Sequence, residues 1–334
     1  MSPFWNKDRH ADRRGFLAGR ARILRAVRAW FHDQGFTEAE PDVLVRSPGA
    51  ETHIDAFEVG DRYLHTSPEF AMKRLLAAGE EKIFYLGKCW RRGETGPLHA
   101  QEFTMLEWYG ASARYERVME DCVELVRLAA RETGVGAFRW KDRVCDPFAD
   151  PETLTVREAF ARHASSPLAG EVSAKPTEGG RSNTTSAAAS RPPPPAPAPL
   201  GGGDAFSATL VTLEPNLGAP ALTLLTEYPI SEAALARPCS HDASVAERFE
   251  LYACSVELAN GFGELTDPVE QRVRLVAAMD EKQKRYGQRW PLDEDFLAAL
   301  AHMPPASGVA LGFDRLVMLA TGARHINDVL WTPQ

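Results

Sequence analysis

The sequence predicts an α+β fold in which an antiparallel sheet is flanked by helices. Short strand-like runs, above all Lys82–Trp90 and Phe103–Tyr109, are separated by helical patterns of uneven length, unlike the regular alternation of a parallel α/β fold. The chain has 334 residues, of which 44% are hydrophobic, as is ordinary for a globular enzyme. We therefore predict a single domain over residues 1–334.

Two segments have the apolar spacing of amphipathic helices. From Gly15 to Gln34, apolar side chains recur at helical spacing, and Gly35 ends the pattern. A second pattern of the same kind links Val118 to Ala129.

Residues 165–203 consist mainly of Ser, Ala, Gly and Pro, with the run Pro192–Pro195 and the triplet Gly201–Gly203. Such a composition buries too little apolar surface to offset the entropy lost on ordering. We predict a disordered, low-complexity insertion over 165–203. We place it within the domain, because the motifs described below, which lie before and after it, are expected to form one site. Ordered patterns resume at Asp204.

The formal net charge is −8, which argues against a broad, sequence-independent grip on nucleic acid. The first thirty residues are an exception, because basic residues lie close together there: Lys7, Arg9, Arg13, Arg14, Arg20, Arg22, Arg25 and Arg28. They form either the solvated face of a helix or a patch that docks an acidic partner.

The five cysteines form no CxxC pair, which indicates reduced thiols in a cytoplasmic protein. The N-terminus has no apolar stretch typical of a signal peptide, and no apolar run is long enough to span a membrane.

The strand Phe103–Tyr109 carries the first candidate site residues. Alternate residues of a strand lie on the same face. One face of this strand therefore carries the aromatic ring of Phe103, the carboxylate of Glu107 and the phenol of Tyr109, together with Met105. Arg91 ends the preceding strand beside a polar loop, where it either clamps a phosphate or is simply solvated.

A second group of carboxylates follows the predicted insertion. If Arg248–Tyr252 and Val256–Leu258 form a hairpin, Glu250 and Glu257 face each other, and a bound Mg²⁺ would relieve their repulsion. The alternative is two glutamates that diverge into solvent. The turn residues 253–255 are poor hairpin formers.

Three more polar and aromatic residues follow these carboxylates. Asn260, Phe262 and Glu264 share one face, and a bulge near Asn260-Gly261 is needed to bring Glu257 onto it.

The segment Gly308–Leu319 reads as a strand, a tight turn and a helix. Arg315 falls in the first helical turn, where backbone N–H groups and the helix dipole already favour anions.

Together these segments resemble the class II aminoacyl-tRNA synthetases. Arg91 with its loop and Glu102-Phe103-Thr104 is similar to motif 2, Gly308–Leu319 to motif 3, and the first helix with residues 35–41 to motif 1, which builds the homodimer interface in that class. Residues 66–69, 107–109 and 257–264 narrow the resemblance to the lysyl branch. A short chain that starts directly at the catalytic core is similar to the stand-alone paralogues that ligate lysine to elongation factor P.

The resemblance implies a role for each matching position. The two catalytic arginines would be Arg91, on the ATP α-phosphate and substrate carboxylate, and Arg315, on the γ-phosphate. Further nucleotide contacts would come from Glu94, His99, Phe103 (under adenine), Glu257, Leu258 and Gly312. The metal ligands for Mg²⁺ would be Glu250 and Glu257. The amino acid would be held by Ser67, Pro68, Glu69, Glu107, Tyr109, Asn260, Phe262 and Glu264.

Within that set, Glu264 and Tyr109 would receive the side-chain ammonium, Glu69 and Glu107 the other amino group, and Asn260 the carboxylate. This agrees with the residues themselves, because a buried ammonium needs carboxylate or phenol partners.

The sequence departs from the synthetase pattern in motif 2. Gly93 stands where lysyl-tRNA synthetases have a glutamate, with Glu94 next, and Ala100-Gln101 replaces an Asn-Pro pair. Either the loop shifts by one residue or the backbone reads adenine. In motif 3, Ala310 stands where a glycine is common.

These features predict an ATP-dependent ligase that adenylates lysine or, as we expect, (R)-β-lysine, and transfers it to a lysine of elongation factor P. We expect a homodimer with no membrane attachment. We also expect no tRNA anticodon recognition, since only about twenty residues precede motif 1. A truncated lysyl-tRNA synthetase and a catalytically inactive regulatory paralogue are the alternatives.

Overall fold

A computed structural model of the chain describes residues 3–49, 51–163 and 202–333. Its helices are α1 (Lys7–Asp33), α2 (Glu69–Ala77), α3 (Tyr115–Thr133), α4 (Val156–His163), α5 (Gly202–Leu213), α6 (Pro268–Tyr286), α7 (Glu294–Leu300), α8 (Phe313–Thr321) and α9 (Ile326–Val329). Its strands are β1 (Thr37–Glu38), β2 (Leu44–Val45), β3 (Glu58–Val59), β4 (Arg62–Leu64), β5 (Lys82–Trp90), β6 (Glu102–Ala111), β7 (Phe138–Trp140), β8 (Arg143–Cys145), β9 (Glu152–Thr155), β10 (Thr223–Pro229), β11 (Val245–Ala253), β12 (Val256–Gly263) and β13 (Ala306–Gly312).

An eight-stranded sheet in the order β1-β5-β6-β13-β12-β11-β10-β9 forms the centre of the described chain. The six inner strands, β5 to β10 in the sheet order, pair with one another in antiparallel fashion, whereas the edge strands β1 and β9 pair in parallel with β5 and β10. The predicted α+β class with an antiparallel sheet is therefore confirmed.

Helices cover both faces of the sheet. One core cluster joins α1, α3, α8 and α9 to one face, and a second joins α2, α6 and α7 to the other. Strand β6 shows how the sequence directs this division, since Leu106 and Trp108 enter the first cluster while Met105 and Tyr109 enter the second. The alternation read from the sequence thus places Glu107 and Tyr109 on the face of α2.

The basic N-terminal segment does not form one continuous patch. Helix α1 begins after Asn6, whose side chain accepts hydrogen bonds from the backbone N–H groups of Asp8 and Arg9. Arg13 and Arg20 are buried. Arg13 donates a hydrogen bond to the carbonyl oxygen of Leu330, and Arg20 forms an ion pair with Asp314. Neither alternative, a solvated helix face or a patch that docks an acidic partner, therefore applies to Arg13 and Arg20, which have partners inside the protein.

The β11–β12 hairpin forms despite its unfavourable turn residues. Ala253 pairs with Val256, and both turn residues, Cys254 and Ser255, take positive φ angles of 52° and 63°. Left-handed values at both central positions are the requirement of a tight hairpin turn that matches strand twist. The backbone of the turn also donates hydrogen bonds to the carbonyl oxygens of Gly218 (2.6 Å) and Leu217 (3.0 Å), which offset the local cost.

Two other expectations concern whole segments. The predicted insertion over 165–203 lies outside the described residues except for Gly202 and Gly203, which begin α5, two residues before the predicted restart at Asp204. In the described part of the chain, no helix has the length and apolarity needed to cross a membrane.

Candidate active site

A cavity of about 320 Å³ opens over the central strands β6, β13, β12 and β11. Most of the predicted site residues line it: Ser67, Glu69, Arg91, Glu94, His99, Phe103, Glu107, Glu250, Glu257, Leu258, Asn260, Gly312 and Arg315. Residues that lie far apart in the sequence are thus brought to one site.

Four predicted residues do not line this cavity. Tyr109 and Glu264 are buried behind its wall, with 3% and 1% of their surface exposed. Pro68 precedes the first turn of α2 and lines a smaller adjoining pocket, and Phe262 packs against the apolar clusters. Tyr109 still reaches the site through Glu107, to which its hydroxyl donates a hydrogen bond of 2.9 Å.

Arg315 lies at one end of the cavity, in the first turn of α8. Its Nη1 donates to the carbonyl oxygen of Glu257 at 2.9 Å, and its Nη2 lies 2.7 Å from Nε2 of His99. Burial and the adjacent Arg315 both lower the pKa of His99, so a neutral imidazole accepts this hydrogen bond. A methyl group built at Gly312 would meet only the aliphatic part of Arg315, at 3.5 Å. This is ordinary van der Waals contact, so the protein itself does not exclude a methyl group at residue 312.

Arg91 lies at the end of β5, beside Phe103. Its guanidinium carbon is 5.2 Å from the centre of the Phe103 ring, which is cation–π distance, and its Nη1 is 3.9 Å from Glu94. Arg91 therefore carries a positive charge into the cavity, where it acts on both Glu107 and Glu257.

The departures in motif 2 are structurally linked to each other. Gly93 has a φ of +82°, a conformation that a glutamate would adopt only under strain. Its backbone N–H donates to the side-chain oxygen of Gln101 at 2.9 Å. Glu94 lines the cavity and Gly93 does not, which favours a carboxylate displaced by one residue over an adenine site made by the backbone alone.

The carboxylates of β11 and β12 come together by a different register from the one expected. Glu250 lies opposite Asn260, and Glu257 lies opposite Tyr252, so the two glutamates are not a directly opposed pair. The register shifts by one residue at Leu258, and this bulge takes the place of the one expected near Asn260-Gly261. It returns Glu257 to the cavity face that Asn260 occupies.

The surroundings of Glu250 and Glu257 fit a divalent cation. Burial and the proximity of Glu250 raise the pKa of Glu257 to about 7, so the two negative charges oppose each other. Arg248 donates to one oxygen of Glu250 at 2.7 Å and the Tyr252 hydroxyl to the other at 2.5 Å. Among the described residues, no group of three or more His, Cys, Asp or Glu could hold a metal ion, so a cation here would complete its shell with phosphate or water oxygens.

The opposite end of the cavity is acidic. Glu107 is fully buried; its oxygens accept hydrogen bonds from Ser67 (2.7 Å) and Tyr109 (2.9 Å). Burial, and then the nearby Glu69, raise the pKa of Glu107 to about 8. Asn260 lines the same region, and its side-chain oxygen has no hydrogen-bond partner among the described residues. This end therefore offers acceptors to a cationic ligand.

Comparison with known proteins agrees with this geometry. The family described as tRNA synthetases class II (D, K and N) matches residues 4–334. The chain belongs to this class II tRNA synthetase family. The prediction made from motifs 1, 2 and 3 is confirmed.

Individual relatives are similar over almost the whole length. The elongation factor P--(R)-beta-lysine ligase of Proteus mirabilis is 36% identical over 337 residues, which cover 95% of this chain and 94% of the relative. The protein of that name from Hamiltonella defensa is 34% identical over 331 residues, with the same coverage, and that from Sodalis glossinidius is 36% identical over 330 residues, covering 94% of this chain and 93% of the relative.

The motif 3 position Ala310 has a definite place in this class II site. In the sheet it lies opposite Asn260 on one side and Glu107 on the other, and it lines the cavity. Its methyl group therefore borders the acidic end, where the amino acid is expected, rather than the end that holds Arg315.

Several residues of the site were not identified from the sequence. Arg248, Glu51 and Asp314 line the cavity, and Lys73 lies buried against its acidic end. Two sequence signals exist among them. The spacing of Glu69 and Lys73 places both on one face of α2, and the spacing of Arg248 and Glu250 places both on one face of β11.

Proposed function

We propose that the protein is an ATP-dependent ligase that adenylates (R)-β-lysine and transfers it to a lysine side chain of elongation factor P. The observation that carries this proposal is that one cavity is lined by two arginines, Arg91 and Arg315, and, at its acidic end, by the buried carboxylate of Glu107. Such a cavity suits a triphosphate and a diamino acid together. The amino acid isomer and the protein acceptor are taken from the names of the relatives.

The first step would join the amino acid to ATP. The substrate carboxylate oxygen attacks the α-phosphorus, the bond to the bridging oxygen breaks, and pyrophosphate leaves with that electron pair. Arg91 would hold the attacking carboxylate and the α-phosphate, and Arg315 would hold the terminal phosphate. Positioning and charge neutralisation by these two side chains would supply most of the rate enhancement.

Glu250 and Glu257 would hold Mg²⁺, which would neutralise phosphate charge when bound. Their own contribution is to keep two carboxylates on the cavity wall. Arg248 and Tyr252 orient Glu250 for that purpose, since each occupies one of its oxygens.

The second step would transfer the aminoacyl group. The neutral amine of the acceptor lysine attacks the carbonyl carbon of the adenylate, AMP leaves, and the amine loses one proton. Because the amine must arrive deprotonated, transfer should accelerate as the pH rises through neutrality.

We also propose that the protein is a cytoplasmic homodimer that does not charge tRNA. The motif 1 elements α1 and β1 support dimerisation, as β1 is an edge strand of the sheet. All five cysteines are free, which suits a reducing compartment. The net charge of −8 offers little attraction to a tRNA backbone.

The deciding experiment is pyrophosphate exchange with α-lysine and (R)-β-lysine, followed by transfer of labelled amino acid to elongation factor P or to tRNA. We expect exchange that is faster with (R)-β-lysine, and label on the protein only. Label on tRNA alone would favour the truncated synthetase, and the absence of exchange with every lysine isomer would favour an inactive paralogue.

A further inference from the structure

Lys73 is a buried lysine beside the acidic end of the cavity, and the roles proposed above do not involve it. Its side chain is completely buried, in the second turn of α2. Its Nζ lies 2.5 Å from Oε1 of Glu69 and 2.6 Å from Oε2 of Glu264. An internal ammonium thus contacts two carboxylates to which we have assigned substrate amines.

The charged groups around Lys73 come from several elements. Glu69 lies on its own helix, Glu107 and Tyr109 lie on β6, and Glu264 follows β12. Arg237 and Arg91 are also near, but Arg237 is held by Glu247 at 2.6 Å and Arg91 lies among Glu51, Glu94 and Glu107. Lys73 is therefore the cation bonded directly to Glu69 and Glu264 among the described residues.

Glu264 keeps its Oε1 away from Lys73. Its side chain is fully buried, and neither oxygen accepts a well-oriented hydrogen bond from the described residues, although Oε2 lies 2.6 Å from Nζ of Lys73. Space for Oε1 exists because residue 308 is glycine: a methyl group there would lie 2.6 Å from Oε1 and 2.2 Å from the Tyr109 ring. A buried carboxylate oxygen without a donor is costly unless a ligand supplies one.

The net negative charge of these pocket residues matches the number of ammonium groups on one class of ligand, the diamino acids. Glu69, Glu107 and Glu264 carry three negative charges when ionised, and Lys73 offsets one of them. Two remain, which equals the number of ammonium groups on a diamino acid whose carboxylate is held by Arg91. Without Lys73, a third charge would be buried with no partner, and the pocket would take up a proton instead.

We propose that Lys73 is a positioning residue of the amino-acid pocket, which holds the carboxylates of Glu69 and Glu264 in place to receive a substrate ammonium. This inference rests on the proposed function, because it assumes a diamino acid. Burial lowers the pKa of Lys73, but Glu264 and Glu69 raise it by more, so that the lysine stays charged.

The test compares Lys73→Met and Lys73→Gln with the wild type in pyrophosphate exchange between pH 6 and pH 9. We expect the KM for (R)-β-lysine to rise about tenfold or more at pH 7, and the KM for ATP to change less than about twofold. The KM for the amino acid should fall again at high pH, with a midpoint about one pH unit or more above that of the wild type.

Lys282→Met is the matched control. Lys282 is equally buried, but its Nζ donates to the neutral carbonyl oxygens of Thr52 (3.1 Å) and Ile54 (2.5 Å). Among the described residues no ion pair joins Lys282 to a carboxylate, and neither Glu69 nor Glu264 acts on it, so this variant should lose thermal stability without moving the pH midpoint. If the Lys73 variants behave in the same way, Lys73 has a purely structural role and the inference is wrong.

A charge-balanced double variant covers the case in which Lys73→Met does not fold. Lys73→Met with Glu264→Gln removes one charge of each sign, so it should fold and its pH midpoint should return toward the wild-type value, at a higher KM. A double variant that also fails to fold would place the role of Lys73 in packing, against the inference. If the wild type shows no exchange with any lysine isomer, the proposed function fails first, which is a separate outcome.

Discussion

The side-chain oxygen of Gln101 accepts a hydrogen bond from the backbone N–H of Gly93 at 2.9 Å, which closes the motif 2 loop across its base. A second bond, from the Arg91 N–H to the Gln101 carbonyl oxygen, is also 2.9 Å long. The two departures from the lysyl-tRNA synthetase pattern thus lie in contact. Gly93 supplies a left-handed backbone, and Gln101 supplies its acceptor.

We predict that Gln101→Ala raises the KM for ATP between about twofold and tenfold, because one hydrogen bond of about 0.5–1.5 kcal/mol that orders the loop is lost. Gln101→Glu is the control, since it keeps an acceptor oxygen at the same distance from the backbone. Pyrophosphate exchange at varied ATP measures both variants. Equal losses in the two variants would mean that the hydrogen bond is not what orders the loop.

A second prediction concerns the two arginines of the cavity. Arg91→Ala and Arg315→Ala should each lower kcat/KM for pyrophosphate exchange by about two orders of magnitude or more, as expected when a charge contact to the transition state is removed. Arg92→Ala and Arg324→Ala are suitable controls, because both side chains are outside the cavity lining. Exchange close to the wild-type rate in either of the first two variants would refute the assignment.

These arginines, and much of the rest, could be predicted from the sequence because local patterns encode them. Strand β5 has the bounds that its apolar run predicts, Lys82–Trp90, and β6 extends the predicted strand by one residue at its start and two at its end. Arg315 lies in the first turn of a helix that follows a glycine-bounded strand, as predicted.

The rest could not be predicted because it depends on partners that are distant in the sequence. The bulge at Leu258 is set by how β12 pairs with β11, and nothing in the sequence of β12 alone places it there. The contact of Lys73 with Glu264 joins α2 to the end of β12. The burial of Arg20 likewise depends on its ion pair with Asp314. Asp314 also accepts a hydrogen bond of 2.8 Å from the backbone N–H of Thr104.

The third prediction is a pH dependence of amino-acid binding. Burial raises the pKa of Glu107 to about 8 and that of Glu264 to about 7, above the ordinary value of about 4.3 for glutamate. Below pH 7 both groups are largely protonated and attract an ammonium weakly. The KM for the lysine substrate should therefore fall as the pH rises from 6 to 9, and Glu107→Gln should flatten the upper part of that curve.

The same groups also predict how the stability of the substrate-free protein depends on pH. Here a rise in pH is unfavourable, although it favours substrate binding. Because the folded state holds protons that the unfolded chain has already released, its free energy of unfolding should decrease as the pH rises through 7 and 8. A bound diamino acid removes this penalty. The rise in Tm caused by saturating substrate should thus be larger at pH 8.5 than at pH 6, and an equal rise at both would contradict the assignment.

The last prediction concerns residues 166–200, for which we expect a role neither in folding nor in adenylation. Helices α4 and α5, which flank this segment, contact each other through Phe160 and Phe206, whose ring centres are 5.8 Å apart in an edge-on arrangement. Because the two helices already meet, a linker of about six Gly and Ser residues should join them, and shortening a loop changes its closure entropy only slightly. The shortened protein should keep its exchange rate within about twofold and its Tm within a few degrees.

A longer deletion, of residues 166–213, is the control for that experiment. It removes α5 together with Leu213, which is 2% exposed and packs with Leu225 and Tyr228 behind the sheet. Loss of a single large buried side chain costs about 2–5 kcal/mol of stability, so this deletion should abolish exchange through unfolding. If the shorter deletion unfolds the protein as well, the low-complexity segment contributes order of its own, and its interpretation as an insertion without a structural role is wrong.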